Sequence, residues 1–500
     1  MYEKKGREPM YLKENGKIWL ATAEGQKRIF LEPSQACRHG LIAGATGTGK
    51  TVTLKVAAES FSDMGVPVFI ADVKGDLTGM CAPGAENKHI RRSIDAMGIE
   101  NFDYGAYPAR FFDVYAKEGH PVRTTVSEMG PVLLARLLGL NETQSGVLRI
   151  LFRIADDQGL LLLDLKDLRA MVQHVGDNAG EYTLTYGNVT PQSLGAIQRA
   201  LLTLEDEGGD RFFGEPAREL ADWFDWDEEG RGVMNILECQ ELFQHPLLYG
   251  TFLLWMLTEL YELLPEAGEL EKPKIVFFFD EAHLLFKDAP RALVEKVEQV
   301  VRLIRSKGAS VWFITQNPSD IPESVLAQIG NRVQHALRAY TPHEQRALRA
   351  AARSFRVNPA FDTETVLQQL AVGEALVSLL DEKSVPGVVE RAGILPPRSS
   401  MEAGGAAAMA AAQAVSPLKD KYAVPFDRES AYETLVARRQ EEQQRAAEEA
   451  KAKEKEKKAT ATPSKKSGSL VSKTVNSAVG SIGRELGRQL VRGLFGTLKR

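Results

Sequence analysis

The chain alternates short apolar runs with longer stretches of helical periodicity between about residues 30 and 395. Most of the short runs are apolar without alternation, which is typical of strands buried on both faces. Runs of this kind, separated by helices, predict an α/β fold with a mostly parallel sheet flanked by helices. The seven candidate strands are residues 40–43, 66–72, 233–238, 275–280, 310–315, 332–337 and 374–379.

About 160 residues rich in leucine and charge separate the second candidate strand from the third. They include VLLARLLGL and QSLGAIQRALLTL, in which apolar residues recur at spacings of three and four, as in amphipathic helices. We therefore interpret residues 95–230 as a helical insertion within a core of residues 40–395. Residues 1–39 are predicted to form a short N-terminal segment.

The composition changes beyond Pro396. Residues 396–467 are first alanine-rich and then highly charged, and ARRQEEQQRAAEEAKAKEKEKKA has no apolar stripe. This linker is predicted to contain either a solvated helix or a disordered segment. In residues 468–500, apolar positions recur at helical spacing, with Arg484, Arg488 and Arg492 on another face. This pattern predicts an amphipathic, basic C-terminal helical tail that docks on a partner.

Composition narrows the class of protein. With 44% apolar and 26% charged residues, the chain has the balance of a soluble globular protein. A formal net charge of -5 gives no global sign of nucleic-acid binding, although local basic patches remain possible. The three cysteines form no CxxC pair, and the N-terminus lacks the apolar core of a secretion signal. These features favour a cytoplasmic protein.

The most apolar helix candidate is YGTFLLWMLTELYELLPE. Glu259 and Glu262 interrupt it before it reaches the roughly 20 residues that a membrane span needs. It is therefore predicted to be a core helix.

A glycine-rich octapeptide, GATGTGKT, follows the first candidate strand. In a phosphate-binding loop, glycines let backbone N–H groups point at phosphate oxygens, a lysine reaches the β and γ phosphates, and a hydroxyl binds Mg²⁺. Lys50 and Thr51 match the last two roles, and the following helix adds its N-terminal dipole. The predicted nucleotide-binding residues are Gly44, Ala45, Thr46, Gly47, Thr48, Gly49, Lys50 and Thr51.

The strand in KIVFFFDEAH delivers two adjacent carboxylates at its end. Asp280 is predicted to orient Mg²⁺ through its water shell, and Glu281 to orient or deprotonate the attacking water. The acid pair favours ATP hydrolysis over transfer to a second substrate. His283 is open to two interpretations, as a coupling residue or as a packed or capping histidine.

Two further segments could complete the site. In SVWFITQNPSD, Gln316 follows a strand and could sense the γ phosphate or the attacking water, or could merely cap a turn. In VRLIRSKGAS, Arg302 and Arg305 approach a helix end at Gly308. They could simply meet the helix dipole, or an arginine could project into a neighbouring subunit's nucleotide.

The acids of ADVKGD, Asp72 and Asp76, follow the second candidate strand. They could touch the nucleotide site or only terminate the strand. We favour termination and retain Asp72 as a site candidate.

These elements together resemble the HerA/FtsK branch of ring-forming P-loop ATPases and most closely the bacterial HerA-like group that includes YjgR. The resemblance covers residues 15–400 and rests on GATGTGKT, FIADVKGDLTGM, GRGVMNILECQEL, IVFFFDEAHLLF and RSKGASVWFITQNPSDIPESVLAQIGNRVQHAL. It implies a RecA-like core, ATP and Mg²⁺ as ligands, and a homo-oligomer, which is expected to be a hexamer. It assigns hydrolysis to Asp280 and Glu281, sensing to Gln316, and the trans-acting finger to Arg305.

Two departures from the family pattern concern ring assembly. Archaeal HerA proteins open with a small β-barrel, whereas some 40 residues precede the phosphate loop here. The helical insertion and the C-terminal tail are also unlike FtsK-type motors. Either feature could supply an assembly surface.

Two functional hypotheses follow. The first is a ring motor that translocates on double-stranded DNA, which the family resemblance favours. The second is an ATP-dependent assembly or scaffold factor that acts on a protein or membrane partner, with the tail as its contact. The tail could also serve oligomer docking or bind DNA.

Overall fold

The fold was analysed in a computed structural model of the 500-residue chain. The structure describes residues 10–12, 16–287, 289 and 291–459. The predicted C-terminal tail, residues 468–500, lies outside the described residues.

The described strands all belong to a single mixed sheet. In chain order they are β1 (Tyr11–Leu12), β2 (Lys17–Ala23), β3 (Lys27–Leu31), β4 (Gly40–Ala43), β5 (Val68–Asp72), β6 (Ala109–Asp113), β7 (His120–Pro121), β8 (Met234–Glu238), β9 (Ile275–Phe279), β10 (Ala309–Thr315), β11 (Asn331–Gln334), β12 (Glu374–Ser378) and β13 (Glu390–Ile394).

Helices connect most of these strands. They are α1 (Pro33–Ala36), α2 (Lys50–Asp63), α3 (Lys88–Met97), α4 (Val126–Leu137), α5 (Glu142–Asp157), α6 (Leu165–Asp177), α7 (Ala179–Tyr186), α8 (Pro191–Asp206), α9 (Gly209–Phe212), α10 (Pro246–Leu263), α11 (Arg291–Leu303), α12 (Glu323–Leu326), α13 (Pro342–Arg353), α14 (Thr363–Gln369), α15 (Ala406–Ala414), α16 (Lys419–Tyr422) and α17 (Ala431–Ala459).

The strand order is β1-β2-β13-β12-β11-β4-β10-β9-β5-β8-β6-β7, and β3 pairs with β2. The eight strands from β11 to β7 are parallel, whereas β12, β13, β2, β1 and β3 are joined by antiparallel pairings. The central strands β4, β5, β9 and β10 are buried along their whole length, as their uninterrupted apolar sequences predict. The predicted α/β fold with a mostly parallel sheet is confirmed.

The sheet is wider than the sequence pattern indicated. All seven candidate strands form, but β2 and β3 come from the N-terminal segment and extend the antiparallel end of the sheet. The described part of the N-terminal segment from Lys17 to Leu31 therefore belongs to the core sheet. Its alternation of apolar and polar residues is weak because β2 is buried at six of its seven positions.

The predicted insertion is helical from α4 to α9, but it also contains sheet strands. β6 and β7 lie within residues 95–230 and extend the parallel end of the sheet beyond β8. β6 reads ARFFD, and its central aromatics, Phe111 and Phe112, are fully buried on opposite sides of the sheet. A run of two aromatics is too short to distinguish a strand from a helix by periodicity.

The segment after Pro396 differs from the predicted linker. Arg398 and Ser399 pack against α2, Met409 of α15 lies in the core on one face of the sheet, and Tyr422 lies in the core on the other. Contacts group residues 1–436 as one compact unit. The alanine-rich sequence is compatible with burial because alanine lets a helix approach a sheet closely.

Residues 437–500 form a second unit, of which the structure describes the remainder of α17. The charged stretch is therefore helical as far as Ala459, and its described side chains from residue 440 to 455 are exposed. This outcome selects the solvated helix from the two alternatives that the sequence left open.

α10 is the predicted core helix, and twelve of its residues are buried. Within the described part of the chain, no helix is both long enough and apolar enough to cross a membrane.

Candidate nucleotide site

Four neighbouring strands bring their carboxyl ends to one edge of the sheet, in the order β4, β10, β9, β5. The register pairs Thr315 with Ala43 and places Phe313 opposite Phe279, which in turn lies opposite Ala71. The segments that follow these strands therefore meet. This arrangement brings the glycine-rich loop, Gln316, the Asp280–Glu281 pair and the ADVKGD segment to one place.

The loop of residues 44–49 has the backbone that its glycines permit. Gly44, Gly47 and Gly49 have φ values of 152°, 76° and 117°, which side chains rarely tolerate. α2 begins at Lys50, so its unpaired N-terminal N–H groups face the loop. Gly47 has no atom within 4 Å of an added Cβ position, which leaves its side of the loop open.

Lys50 folds back over the loop. Its Nζ donates hydrogen bonds to the carbonyl oxygens of Gly44 at 2.7 Å and Ala45 at 3.1 Å. Burial is the main cause that lowers the pKa of Lys50, and the nearby Lys74 ammonium lowers it further. Two carbonyl oxygens of the loop thus hold the ammonium in place. A bound phosphate could replace these acceptors and form stronger, charge-assisted hydrogen bonds with the ammonium.

The loop rests on residues that follow β11. His335 is fully buried, and its two ring nitrogens lie 2.8 Å from Thr53 Oγ1 and 2.9 Å from the Glu374 carbonyl oxygen. Burial lowers the pKa of His335 to about 4, so the ring is neutral at physiological pH. The Ala45 N–H donates to the Ala336 carbonyl at 2.9 Å.

Gly373 supports the other end of the loop. Its N–H donates to the Thr48 carbonyl at 3.1 Å. The sequence analysis did not single out His335 or Gly373, because both lie far along the chain from the loop. His335 lies inside the candidate strand of residues 332–337, and the signal that could have found it is a polar residue near the end of that strand, which in the structure ends at Gln334.

Asp280 and Glu281 occupy the carboxyl end of β9. Asp280 is 5% exposed, and burial raises its pKa to about 7. Burial would also raise the pKa of Glu281, but its ion pair with Lys74 outweighs this, and the Glu281 pKa is lowered. Glu281 has a φ of 46°, a left-handed backbone that is uncommon for a residue with a side chain. This backbone turns its carboxylate away from the strand direction.

Lys74 was missed by the sequence analysis, although it lies in ADVKGD. Its Nζ contacts a Glu281 carboxylate oxygen directly and lies 3.9 Å from Asp280 Oδ2. The segment that carries Lys74 is fixed by Asp72, whose carboxylate accepts from the N–H groups of Lys74, Gly75 and Leu77 at 3.1, 2.8 and 2.9 Å. Lys74 thereby adds a second ammonium to the site.

Gln316 and His283 also converge on Glu281. Gln316 Nε2 donates to Glu281 Oε2 at 3.3 Å, and His283 Nδ1 lies 3.2 Å from the same oxygen. Gln316 follows β10 directly, so the amide and the carboxylate meet because β10 and β9 are neighbours. A water molecule held by Glu281 would therefore also be within reach of an amide.

The acidic residues at this edge suit a divalent cation. One carboxylate oxygen from each of Asp72, Asp76 and Asp280 lies within 4.8 Å of the others. Thr51 Oγ1 donates to Asp76 Oδ2 at 3.4 Å, and Asp76 Oδ1 is buried without a hydrogen-bond partner. Oxygen-only donors of this kind fit Mg²⁺. Asp72 also performs the strand-terminating role that the sequence favoured.

Arg305 lies at the opposite edge of the sheet. It belongs to a 3-10 turn, Ile304–Lys307, that precedes β10, whereas Gln316 follows that strand. Seven residues of strand span roughly 23 Å. With Arg38 and Arg302, Arg305 lines a cavity at this edge. Within one subunit, Arg305 therefore cannot reach the glycine-rich loop.

Solved structures with a similar fold include three of the TrwB coupling protein. The unbound "bacterial conjugative coupling protein TrwBdeltaN70" is 15% identical, with 78% of this chain and 92% of that chain covered and a TM-score of 0.51. The plasmid coupling protein TrwB with the ATP analogue ADPNP is 14% identical, with 78% and 93% covered and a TM-score of 0.52. TrwB with ADP and Mg²⁺ is 14% identical, with 74% and 89% covered and a TM-score of 0.51.

At these identities the likeness concerns the fold, which agrees with the predicted RecA-like core. No curated protein is significantly similar to the chain. The family described as "Helicase HerA-like C-terminal" matches residues 18–500. That range includes the glycine-rich loop, the Asp280–Glu281 pair and Gln316, and the narrower bacterial grouping stays a prediction. The chain therefore belongs to the helicase HerA-like C-terminal family of P-loop ATPases.

Proposed function

We propose that this protein is an ATP-hydrolysing, Mg²⁺-dependent ring motor that translocates on double-stranded DNA. The observation that carries the proposal is the convergence of Lys50, Glu281 and Gln316 at one edge of the sheet, with Gln316 donating to Glu281 at 3.3 Å. A phosphate loop beside a carboxylate and an amide is an arrangement for hydrolysis rather than for storage of a nucleotide. The TrwB structures with ADPNP and with ADP and Mg²⁺ support ATP and Mg²⁺ as ligands.

Each residue has a distinct role in this proposal. The backbone N–H groups of residues 44–49 and the Lys50 ammonium bind the phosphates. Thr51 and Asp280 hold Mg²⁺, Asp280 through water, and the bound ion neutralises charge on the phosphates. Glu281 orients the attacking water and accepts its proton, while Gln316 reports whether the γ phosphate is present.

Arg305 acts in trans. Because it lies at the edge of the sheet opposite the loop, its role requires a neighbouring subunit. We accordingly propose a homo-oligomer, hexameric as in the ring motors that the chain resembles. In such a ring, Arg305 of one subunit stabilises the charge that develops during hydrolysis in the next.

The test is ATP turnover by the purified full-length protein, with and without long duplex DNA, together with its mass in solution. We expect DNA to stimulate hydrolysis and the particle to contain about six subunits. Glu281→Gln should lower kcat by about 100- to 10,000-fold while ATP remains bound, since the amide cannot accept a proton.

Robust hydrolysis that is indifferent to DNA would contradict translocation. It would favour an assembly factor for a protein or membrane partner, for which the tail would be the contact to examine. Undiminished turnover in Glu281→Gln would contradict the assignment of the catalytic carboxylate.

A further inference from the structure

One face of α13 carries a row of exposed arginines. Arg346, Arg349 and Arg353 are all exposed, and they fall within an arc of about 60° because their spacings are three and four residues. The opposite face is buried through Ala347, Leu348, Ala351 and Ala352. Arg338 before the helix and Arg356 after it are exposed as well. We call Arg346, Arg349 and Arg353 the α13 arginine row.

The row has no carboxylate partner among the described residues. Arg349 Nε donates only to the backbone carbonyl of Gln345, at 3.2 Å. Glu344, the acidic residue within α13, is engaged at the helix start, where it accepts from the N–H groups of Tyr340 and Thr341 at 2.8 Å each. Among the described residues, therefore, no carboxylate forms an ion pair with the α13 arginine row.

Three arginines on other helices each pair with an acid four residues further along. Arg153 of α5 contacts Asp157, Arg91 of α3 contacts Asp95, and Arg291 of α11 contacts Glu295. On a helix, like charges three or four residues apart destabilise it by about 0.2–0.5 kcal/mol per pair. The row places three unpaired like charges on one helix face in a chain of net charge -5, and it therefore carries a folding cost.

We propose that the α13 arginine row binds the phosphate backbone of duplex nucleic acid. Over the seven residues from Arg346 to Arg353 the helix rises by about 10 Å. That length of duplex carries about six phosphates, at one charge per ~1.7 Å of helix axis. Three guanidinium groups on one face can therefore contact successive phosphates and bind independently of base sequence.

Other partners fit this face less well. A membrane-surface helix inserts an apolar face into the lipid, but the apolar face of α13 is already buried in the protein. Arginine at the buried centre of a protein–protein interface is accompanied by aromatic residues and methionine, whereas α13 has neither. The proposal rests on the proposed DNA motor in one respect, because it names the surface through which DNA is held.

The test compares two matched double variants. Arg349→Gln with Arg353→Gln removes two exposed arginines, four residues apart, from the row. The control, Arg149→Gln with Arg153→Gln, removes two exposed arginines with the same spacing from α5. Binding of a fluorescent 40-base-pair duplex to the full-length protein is measured by anisotropy between roughly 50 and 200 mM salt.

We expect the row variant to bind the duplex roughly 10- to 100-fold more weakly at 100 mM salt, with the slope of log K against log salt reduced by about 1.8, or ~0.9 for each lost phosphate contact. The control variant should bind as the unmodified protein does. Equal losses in the two variants would overturn the proposal, since general charge would then be the cause. Loss of subunits from the row variant alone would overturn it in favour of a subunit interface.

Two further outcomes separate this proposal from the proposed function. DNA could bind and stimulate hydrolysis equally in the row variant and the unmodified protein. That result would refute the role of the α13 arginine row in DNA binding but would leave the proposed motor function intact. If the duplex binds through the row but leaves hydrolysis unchanged, the row is confirmed as a DNA-binding surface and the proposed motor function is refuted. Absence of duplex binding at 50 mM salt would refute both.

Discussion

Lys74 contacts Asp280 and Glu281, the two acids that have roles in the proposed hydrolysis. Its Nζ pairs with Glu281 and lies 3.9 Å from Asp280 Oδ2, while its own pKa is raised because these carboxylates outweigh the effect of burial. The ammonium keeps the pKa of Glu281 below its usual range against the opposing effect of burial. At this scale the site is a balance between burial, which favours protonated acids, and one lysine, which favours ionised acids.

Replacing Lys74 should therefore shift the pH dependence of hydrolysis. In Lys74→Met the pKa of Glu281, the proposed catalytic carboxylate, rises, so the ionised form is lost at a higher pH as the solution is acidified. We expect the acid limb of kcat/KM to move upward by about one pH unit. Lys117→Met, which removes a lysine paired with Glu241 at an exposed position, is the control. An unshifted acid limb in Lys74→Met would rule out this role for Lys74.

Two glycines of the loop should differ in their tolerance of alanine. A Cβ on Gly44 would lie 2.5 Å from His335 Cβ, whereas one on Gly47 would meet no atom within 4 Å. Gly47→Ala adds only backbone strain, about 1–2 kcal/mol. If the free loop relaxes to relieve this strain, ATP binding must restore it, and we expect a roughly 5- to 30-fold loss of ATP affinity. Gly44→Ala adds a steric clash and should bind ATP more weakly still. Titration with a fluorescent ATP analogue measures the affinities of both variants. Equal affinities would contradict the conclusion that His335 supports the loop.

At the scale of elements, α2 connects the loop to the segment that follows Pro396. Lys55 and Glu59 lie four residues apart on one face of this helix, and both are buried. Lys55 Nζ donates to the Ser400 carbonyl at 2.8 Å. Glu59 accepts from the N–H groups of Arg398 and Ser399 at 2.8 and 3.1 Å and from the Ser399 hydroxyl. We call these contacts of Lys55 and Glu59 with residues 398–400 the polar seam. Because they place polar side chains on a buried face, they explain why α2 has little amphipathic character although it is almost entirely buried.

The seam predicts a pH-dependent stability. Burial raises the pKa of Glu59 to about 7, above its ordinary value of 4.5. Between these two pH values the folded protein holds a proton that the unfolded chain has released, so stability falls as the pH rises, by at most about 1.4 kcal/mol per pH unit. Glu59→Gln does not titrate. We expect urea unfolding at pH 5 to 8 to show the variant gaining stability relative to the unmodified protein as the pH rises.

The matched control for this prediction is Glu364→Gln, which changes a partly exposed acid on α14. Its stability relative to the unmodified protein should be independent of pH over the same range. If Glu59→Gln behaved in the same way, the seam would not contain a carboxyl group with a raised pKa.

At the scale of the whole molecule, the C-terminal part of the first unit completes the core. Tyr422 is buried, stacks on the Arg218 guanidinium at 3.8 Å and donates to Asp222 Oδ2 at 2.5 Å. Leu418, Ala431 and Leu435 belong to the same core cluster. The described side chains of α17 from residue 440 onward are exposed.

Two truncations should therefore differ sharply. A chain ending at residue 436 should unfold cooperatively with a Tm within about 2 °C of the full chain, because the described side chains that it loses from residue 440 to 455 are exposed. A chain ending at residue 397 exposes the core beneath Tyr422 and should lose cooperative unfolding. Calorimetry measures both. Similar Tm values for the two chains would show that residues 398–436 do not contribute to the core.

Much of the centre of the fold was accessible from sequence because its signals are local. The uninterrupted apolar runs identified β4, β5, β9 and β10, and the residues that end them identified the loop, the acids and Gln316. The strands at both ends of the sheet were missed. β6 is five residues long and β7 only two, and such short runs have no periodicity of their own.

The sequence by itself determined which chemical groups the candidate nucleotide site contains, since each motif combines a strand with the polar residue that follows it. The tertiary structure alone decided how these motifs are supported. The contacts of Lys74 with Glu281, of His335 with Thr53 and of Glu59 with Ser399 join residues 207, 282 and 340 positions apart. Contacts at such separations leave no periodic trace in a single sequence, because they depend on which strands become neighbours in the sheet.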